Sequence, residues 1–93
     1  MTELLSSDEI NTRLGELHWS LDGKEMVREW ELKDFGAAIA FVNRVAEKAE
    51  EADHHPDILL HGWNKVRLSL SSHSAGGLTA ADFDMARGFD GLD

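Results

Sequence analysis

The sequence predicts an α+β fold in which a four-stranded antiparallel sheet carries helices on one face. Three observations point there. Asp22-Gly23, a tight-turn dipeptide, separates two short segments that contain large apolar residues. Val66, Leu68 and Leu70 alternate with Lys65, Arg67 and Ser69, the signature of a half-buried strand. Helical periodicity begins after Asp34 and again near Thr79, so the order reads as an N-terminal helix followed by β-β-α-β-β-α.

Ser6-Ser7-Asp8-Glu9 opens the first helix, with a capping residue and acids in the first turn; Ile10, Leu14 and Leu17 then fall at helical spacing. His18 to Leu21 forms the first arm of the hairpin and Lys24 to Leu32 the second. On the second arm Met26, Arg28, Trp30 and Leu32 share one face, and Val27, Glu29 and Glu31 the other. Asp34 caps the longest helix. Its expected apolar stripe is Phe35, Ala38, Ile39, Val42, Val45, Ala46 and Ala49, with Glu47, Lys48, Glu50 and Glu51 solvated. That helix must stop near Asp53, because Pro56 disfavours helical geometry at His55.

Ile58-Leu59-Leu60-His61 is a short apolar strand ahead of the alternating one, and Ser72 to Gly77 is a small-residue loop carrying His73. Thr79 and Asp82 form a capping-box pattern, and Phe83, Ala86 and Phe89 continue a last helix that ends near Gly91. The sheet face away from the helices must be covered or polar.

Ninety-three residues are expected to make one domain spanning 1–93, small enough that self-association would help its stability. There is no cysteine, which excludes disulfides, thiol chemistry and a thiolate zinc site. Eighteen acidic residues against nine basic ones give a formal net charge of −9. Such a surface repels phosphate, so direct nucleic-acid and anionic-membrane binding are disfavoured. The first residues lack the basic start and apolar run of a signal peptide, and no segment approaches the roughly 20 apolar residues of a membrane span. A cytoplasmic protein is expected.

Glu50-Glu51-Ala52-Asp53-His54-His55-Pro56 is the densest chemistry in the chain. Imidazole gives or takes a proton near neutrality without extreme tuning. Adjacent histidines normally point in different directions, so His54 and His55 should differ in role. Glu50, one helical turn before His54, is placed to orient it if the helix runs that far. Each residue also has a plainer reading. Histidines suit the negative end of a helix, Asp82 suits a cap, His73 suits a polar loop, and Trp19, Trp30 and Trp63 suit core or interface positions. His18 and His61 carry no distinguishing context. A zinc set of His54, His55, His73 and a carboxylate is poorly supported, since helical metal-binding pairs sit three or four residues apart. Gly76-Gly77 is too short to cradle phosphate.

The joint pattern of Glu50, His54-His55-Pro56, Trp63, His73 and Asp82 resembles the signature of the pterin-4a-carbinolamine dehydratase family. Phe35 to Glu50 is similar to the helix that precedes the motif in that family, and Gly77-Leu78-Thr79 to the start of its final helix. Two positions differ: Trp63 stands where tyrosine is common, and Ser72 where threonine is usual. The resemblance implies an antiparallel four-stranded sheet with helices on one side. It implies dehydration of a 4a-hydroxytetrahydropterin to a quinonoid dihydropterin, without metal or organic cofactor. His54, His73 and Glu50 would be catalytic, and His55, Pro56, Trp63 and Asp82 would bind substrate. Homodimers or homotetramers are implied as the assembly. One animal member also binds a homeodomain transcription factor, a role for which no motif is present in this chain.

Overall fold

The computed structural model describes residues 3–92. In chain order its elements are α1 (Ser7–Leu14), β1 (Ser20–Asp22), β2 (Glu25–Glu31), α2 (Phe35–Ala52), β3 (Asp57–His61), β4 (Lys65–Leu70) and α3 (Ala80–Asp90). The strands form one antiparallel sheet in the order β1-β2-β4-β3. Two local hairpins therefore meet through their second strands, β2 and β4, which form the centre. The predicted fold class and element order are those of the structure.

Pairing explains the core. Met26 lies opposite Leu70 and Trp30 opposite Val66, so the apolar members of β2 and β4 fall on the same face. All four are buried, together with Leu68. The opposite face carries Val27, Glu29, Glu31, Lys65, Arg67 and Ser69, so it is polar rather than covered. Over the apolar face lie Ala38, Phe41, Val45 and Ala49 of α2 and Phe83, Met85, Ala86 and Phe89 of α3. Trp30 packs against Trp19 edge-on at 5.6 Å and against Phe41 at 5.0 Å. Asp90 ties this cluster to the end of α3. Its Oδ1 accepts from Trp19 Nε1 at 2.8 Å and from Arg28 at 2.7 Å, and Arg28 also stacks on Trp30. An acid at a helix C-terminus opposes the dipole, and these two donors offset it.

Three expectations shift. The hairpin loop is Gly23-Lys24, because Asp22 still pairs with Glu25; Gly23 has φ +64°, which suits a glycine at the first position of a two-residue loop. Helix α1 ends at Leu14, leaving Leu17 beyond it, although Leu17 still packs on the core. On α2 the stripe is rotated: Phe41, absent from the expected set, is fully buried, whereas Phe35 and Ile39 are 53% and 41% exposed. Periodicity defines a helical face only within about one residue either side, and packing against β4 and α3 selects Ala38-Phe41-Val45-Ala49.

Candidate active site

The site is built where α2 stops. Asp53 adopts a left-handed conformation (φ +51°), and its N–H bonds to Glu50 O at 3.2 Å while His54 N–H bonds to Ala49 O at 3.1 Å. This pair of bonds is a Schellman ending, completed here by aspartate in place of the usual glycine. Pro56, three residues on, keeps the chain from returning to helix. His54 is thus carried off the helical path.

That turn corrects the expected partnership of Glu50. A continuous helix would bring Glu50 under His54, but its Oε1 meets His55 Nε2 at 3.0 Å in an exposed pair. His54 points inward, and its Nε2 lies 2.6 Å from Asp82 Oδ1. Asp82 has 0% exposure, the only fully buried acid among the described residues. Its second oxygen, Oδ2, accepts from Thr79 N–H at 2.9 Å and from the Ser72 hydroxyl at 2.9 Å. The Thr79 and Ser72 hydroxyls are themselves 2.8 Å apart. Asp82 therefore caps α3 with one oxygen and holds His54 with the other, so the cap and the site partner are one residue.

His73 comes from the loop after β4. Ser72 N–H bonds to Gly77 O at 2.9 Å, and Gly76 N–H bonds back to Ser72 O at 2.9 Å. Gly76 (φ +81°) supplies the turn that closes the loop. The result is an open cavity of about 400 Å³ lined by Asp53, His54, His55, Ser71, Ser72, His73, Ser74 and Ala81. All three signature histidines line it, from two segments that α2 and β4 bring together.

Trp63 is not in this group. It sits in the three-residue Gly62-Trp63-Asn64 turn between β3 and β4, with φ +61° and 62% exposure. Six residues of β4 separate that turn from the His73 loop, on the order of 20 Å at about 3.3 Å per residue. Pro56 is half-buried beside His55 and does not line the cavity. Sequence reasoning passed over Ser71, Ser74 and Ala81, which carry no signal of their own, and treated Ser72 only as a departure from a pattern. Its proximity to His73 and its spacing from Asp82 were the available clue.

A second groove, of about 620 Å³, is lined by His18, Ser20, Val27, Arg28, Glu29 and Arg67. Its charges are already matched: Arg28 with Asp90, Arg67 with Asp22 at 3.2 Å, and Glu29 with His61 at 2.6 Å. Such pairs suit a solvated surface. Among the described residues no three His, Asp or Glu side chains converge as metal ligands, and no helix is long and apolar enough to cross a membrane.

Comparison with known proteins identifies the family and the fold. The sequence profile of the family described as pterin 4 alpha carbinolamine dehydratase matches residues 3–92. A protein of Nocardia farcinica named as a pterin-4-alpha-carbinolamine dehydratase is 52% identical over 92 residues, covering 98% of this chain and 96% of that protein. A similarly named protein of Cyanothece sp. is 51% identical, covering 94% of this chain and 90% of its own length. Among solved structures, a transcriptional coactivator/pterin dehydratase from Brucella melitensis superposes with a TM-score of 0.88 at 35% identity, covering 95% and 96% of the two chains. A pterin dehydratase-like protein, a RuBisCO assembly factor in the alpha-carboxysome, aligns with a TM-score of 0.67 at 25% identity over 80% of this chain and 87% of that one. On sequence over nearly its whole length, and on fold, the chain belongs to the pterin-4-alpha-carbinolamine dehydratase family.

Proposed function

We propose that the protein removes water from a 4a-hydroxytetrahydropterin to give the quinonoid dihydropterin, in recycling of a pterin cofactor. The observation that carries this reading is the cavity lined by His54, His55 and His73, with His54 held by a fully buried carboxylate. In the reaction the C4a–O bond breaks as a ring-nitrogen lone pair forms the new C=N bond. The hydroxyl leaves as water after gaining a proton, and the ring gives up one proton. One acid and one base close the balance, and an imidazole side chain can act as either, so His54 and His73 suit both jobs.

Asp82 orients His54, and Glu50 orients His55 at the cavity rim, where His55 serves as a polar contact for the substrate. No covalent nucleophile enters these steps. The test is a rate assay on a synthetic 4a-hydroxytetrahydropterin, with and without chelator. Acceleration over the uncatalysed dehydration, unchanged by chelation, is expected; a rate equal to the protein-free control refutes the reading.

A non-catalytic role on the same fold is the second reading, favoured by one observation: a solved pterin dehydratase-like structure is that of an assembly factor. The same assay separates the two, since a binding module leaves the dehydration rate at background. A homodimer or homotetramer also belongs to the proposal. It is supported by exposed Phe35 and Ile39 on one face of α2 and by Ile58 and Leu59 on the edge strand β3. Light scattering across a dilution series checks it; a monomer at all concentrations refutes it.

A further inference from the structure

We propose that Ser72 is a positioning residue that holds His54 in one tautomer and so makes Nδ1 of His54 the proton acceptor of the site. The inference rests on the dehydratase reading only for its kinetic readout. Its geometry is independent of which ligand fills the cavity.

Ser72 is buried at the centre of two sets of bonds. Its side chain donates to Asp82 Oδ2 at 2.9 Å, so its one hydroxyl proton is committed. The Thr79 hydroxyl lies 2.8 Å from Ser72 Oγ and only 3.5 Å from Asp82 Oδ2, so its proton goes to the shorter contact with Ser72. With the Thr79 N–H also bonded to Oδ2 at 2.9 Å, that oxygen already takes two donors, which suits an acceptor-only carboxylate. The other oxygen, Oδ1, faces His54 Nε2 at 2.6 Å and must find the proton there. A neutral His54 with its proton on Nε2 carries its lone pair on Nδ1, and His54 lines the cavity.

The consequence is a division of labour. His54 Nδ1 accepts the proton released by the pterin ring, and the resulting imidazolium is matched by Asp82. His73 then gives the proton that leaves with the hydroxyl as water. Proton exchange with solvent resets both rings. The backbone of Ser72 meanwhile anchors the His73 loop through its bonds with Gly77 and Gly76. One residue thus places both ends of the proton balance. The serine side chain acts on His54 alone, which makes the two arms separable by mutation.

The experiment is imidazole ¹⁵N NMR on labelled full-length protein, with His54 assigned by the signal lost in His54→Gln. The expected pattern in the native protein is a pyrrole-type Nε2 and a pyridine-type Nδ1. The opposite pattern overturns the proposal. In Ser72→Ala the two His54 nitrogens should move toward each other as both tautomers become populated, and Ser72→Thr should restore the native pattern. Turnover of Ser72→Ala should fall about 10-fold with KM little changed, a part of the 10²–10⁴-fold that a placed acid or base supplies. Unaltered His54 shifts in a folded Ser72→Ala overturn the role of Ser72. Should that variant not fold, Ser72→Cys, which keeps the size but donates weakly, takes its place. A native tautomer pattern in a protein that dehydrates no pterin would leave this inference standing and refute the activity instead.

Discussion

Two helices of this protein open with the same local device. At the start of α1, Ser6 accepts from Glu9 N–H at 3.2 Å while Glu9 accepts from Ser6 N–H at 3.1 Å. At the start of α3, Asp82 accepts from Thr79 N–H in the same returning arm. The two acids nevertheless live differently. Glu9 is in solvent, and the Ser6 N–H it accepts holds its carboxyl below the usual carboxylate range. Asp82 is buried under Ser72 and Thr79 and spends its other oxygen on His54. A capping motif reports where a helix begins and leaves open whether its acid has capacity left for anything else. Burial, which removes water as the competing partner, turns the second cap into part of a site.

The contrast breaks most visibly at the imidazole that only the buried cap serves. His54→Ala, and likewise His73→Ala, should lower turnover by roughly 10²-fold or more with the fold retained, as measured by initial rates and circular dichroism. Native turnover in both would remove the catalytic assignment. Next in size is Asp82→Asn. It keeps the shape but turns one acceptor oxygen into an NH₂ donor, so it cannot accept both from His54 and from Ser72 with the Thr79 N–H, and turnover should fall by more than its loss of stability accounts for. A variant that melts lower and turns over normally would make Asp82 a cap alone, equal to Glu9.

The exposed cap supplies the smaller effects. Ser6→Ala should cost about 0.5–1 kcal/mol of stability, read from urea unfolding, and leave turnover as it was. A kinetic defect there would erase the distinction between the two caps. The smallest effect is a pH dependence. Because the folded state lowers the Glu9 pKa, its contribution is present above the unfolded value and is lost as pH falls through the carboxylate range and below the folded value. Comparing native and Glu9→Gln unfolding should show a difference at neutral pH that closes on acidification. A difference that widens with acid would reverse the sign and refute the account.

Much of the fold is legible in the chain because its causes are local. Alternation at Lys65 to Leu70 defines a strand with one buried face, and the buried set is the expected Val66, Leu68 and Leu70. Asp34 caps α2 where expected, its Oδ1 accepting from Ala37 N–H at 2.7 Å. The α2 stripe is less legible, since Ile39 and Phe41, both apolar, lie on nearly opposite sides of the helical wheel and only the neighbours of the helix decide which is buried. Within the candidate site, the gathering of His54, His55 and His73 is legible only as a joint pattern, because nothing local links His73 to the end of α2.

Element order, the helix starts and the arrest of α2 before Pro56 follow from the chain alone, because steric limits and the 2.0 and 3.6 residue periods act over a few neighbours. Tertiary structure alone decided who faces whom. A single left-handed residue, Asp53, swung Glu50 onto His55 and freed His54 to meet an acid 28 positions away. The β3–β4 turn put Trp63 at the far end of the sheet from the histidines. Side-chain direction after a turn depends on the dihedral angles of that turn, and contacts across a layer depend on how the layers pack. Neither is encoded in spacing along the chain.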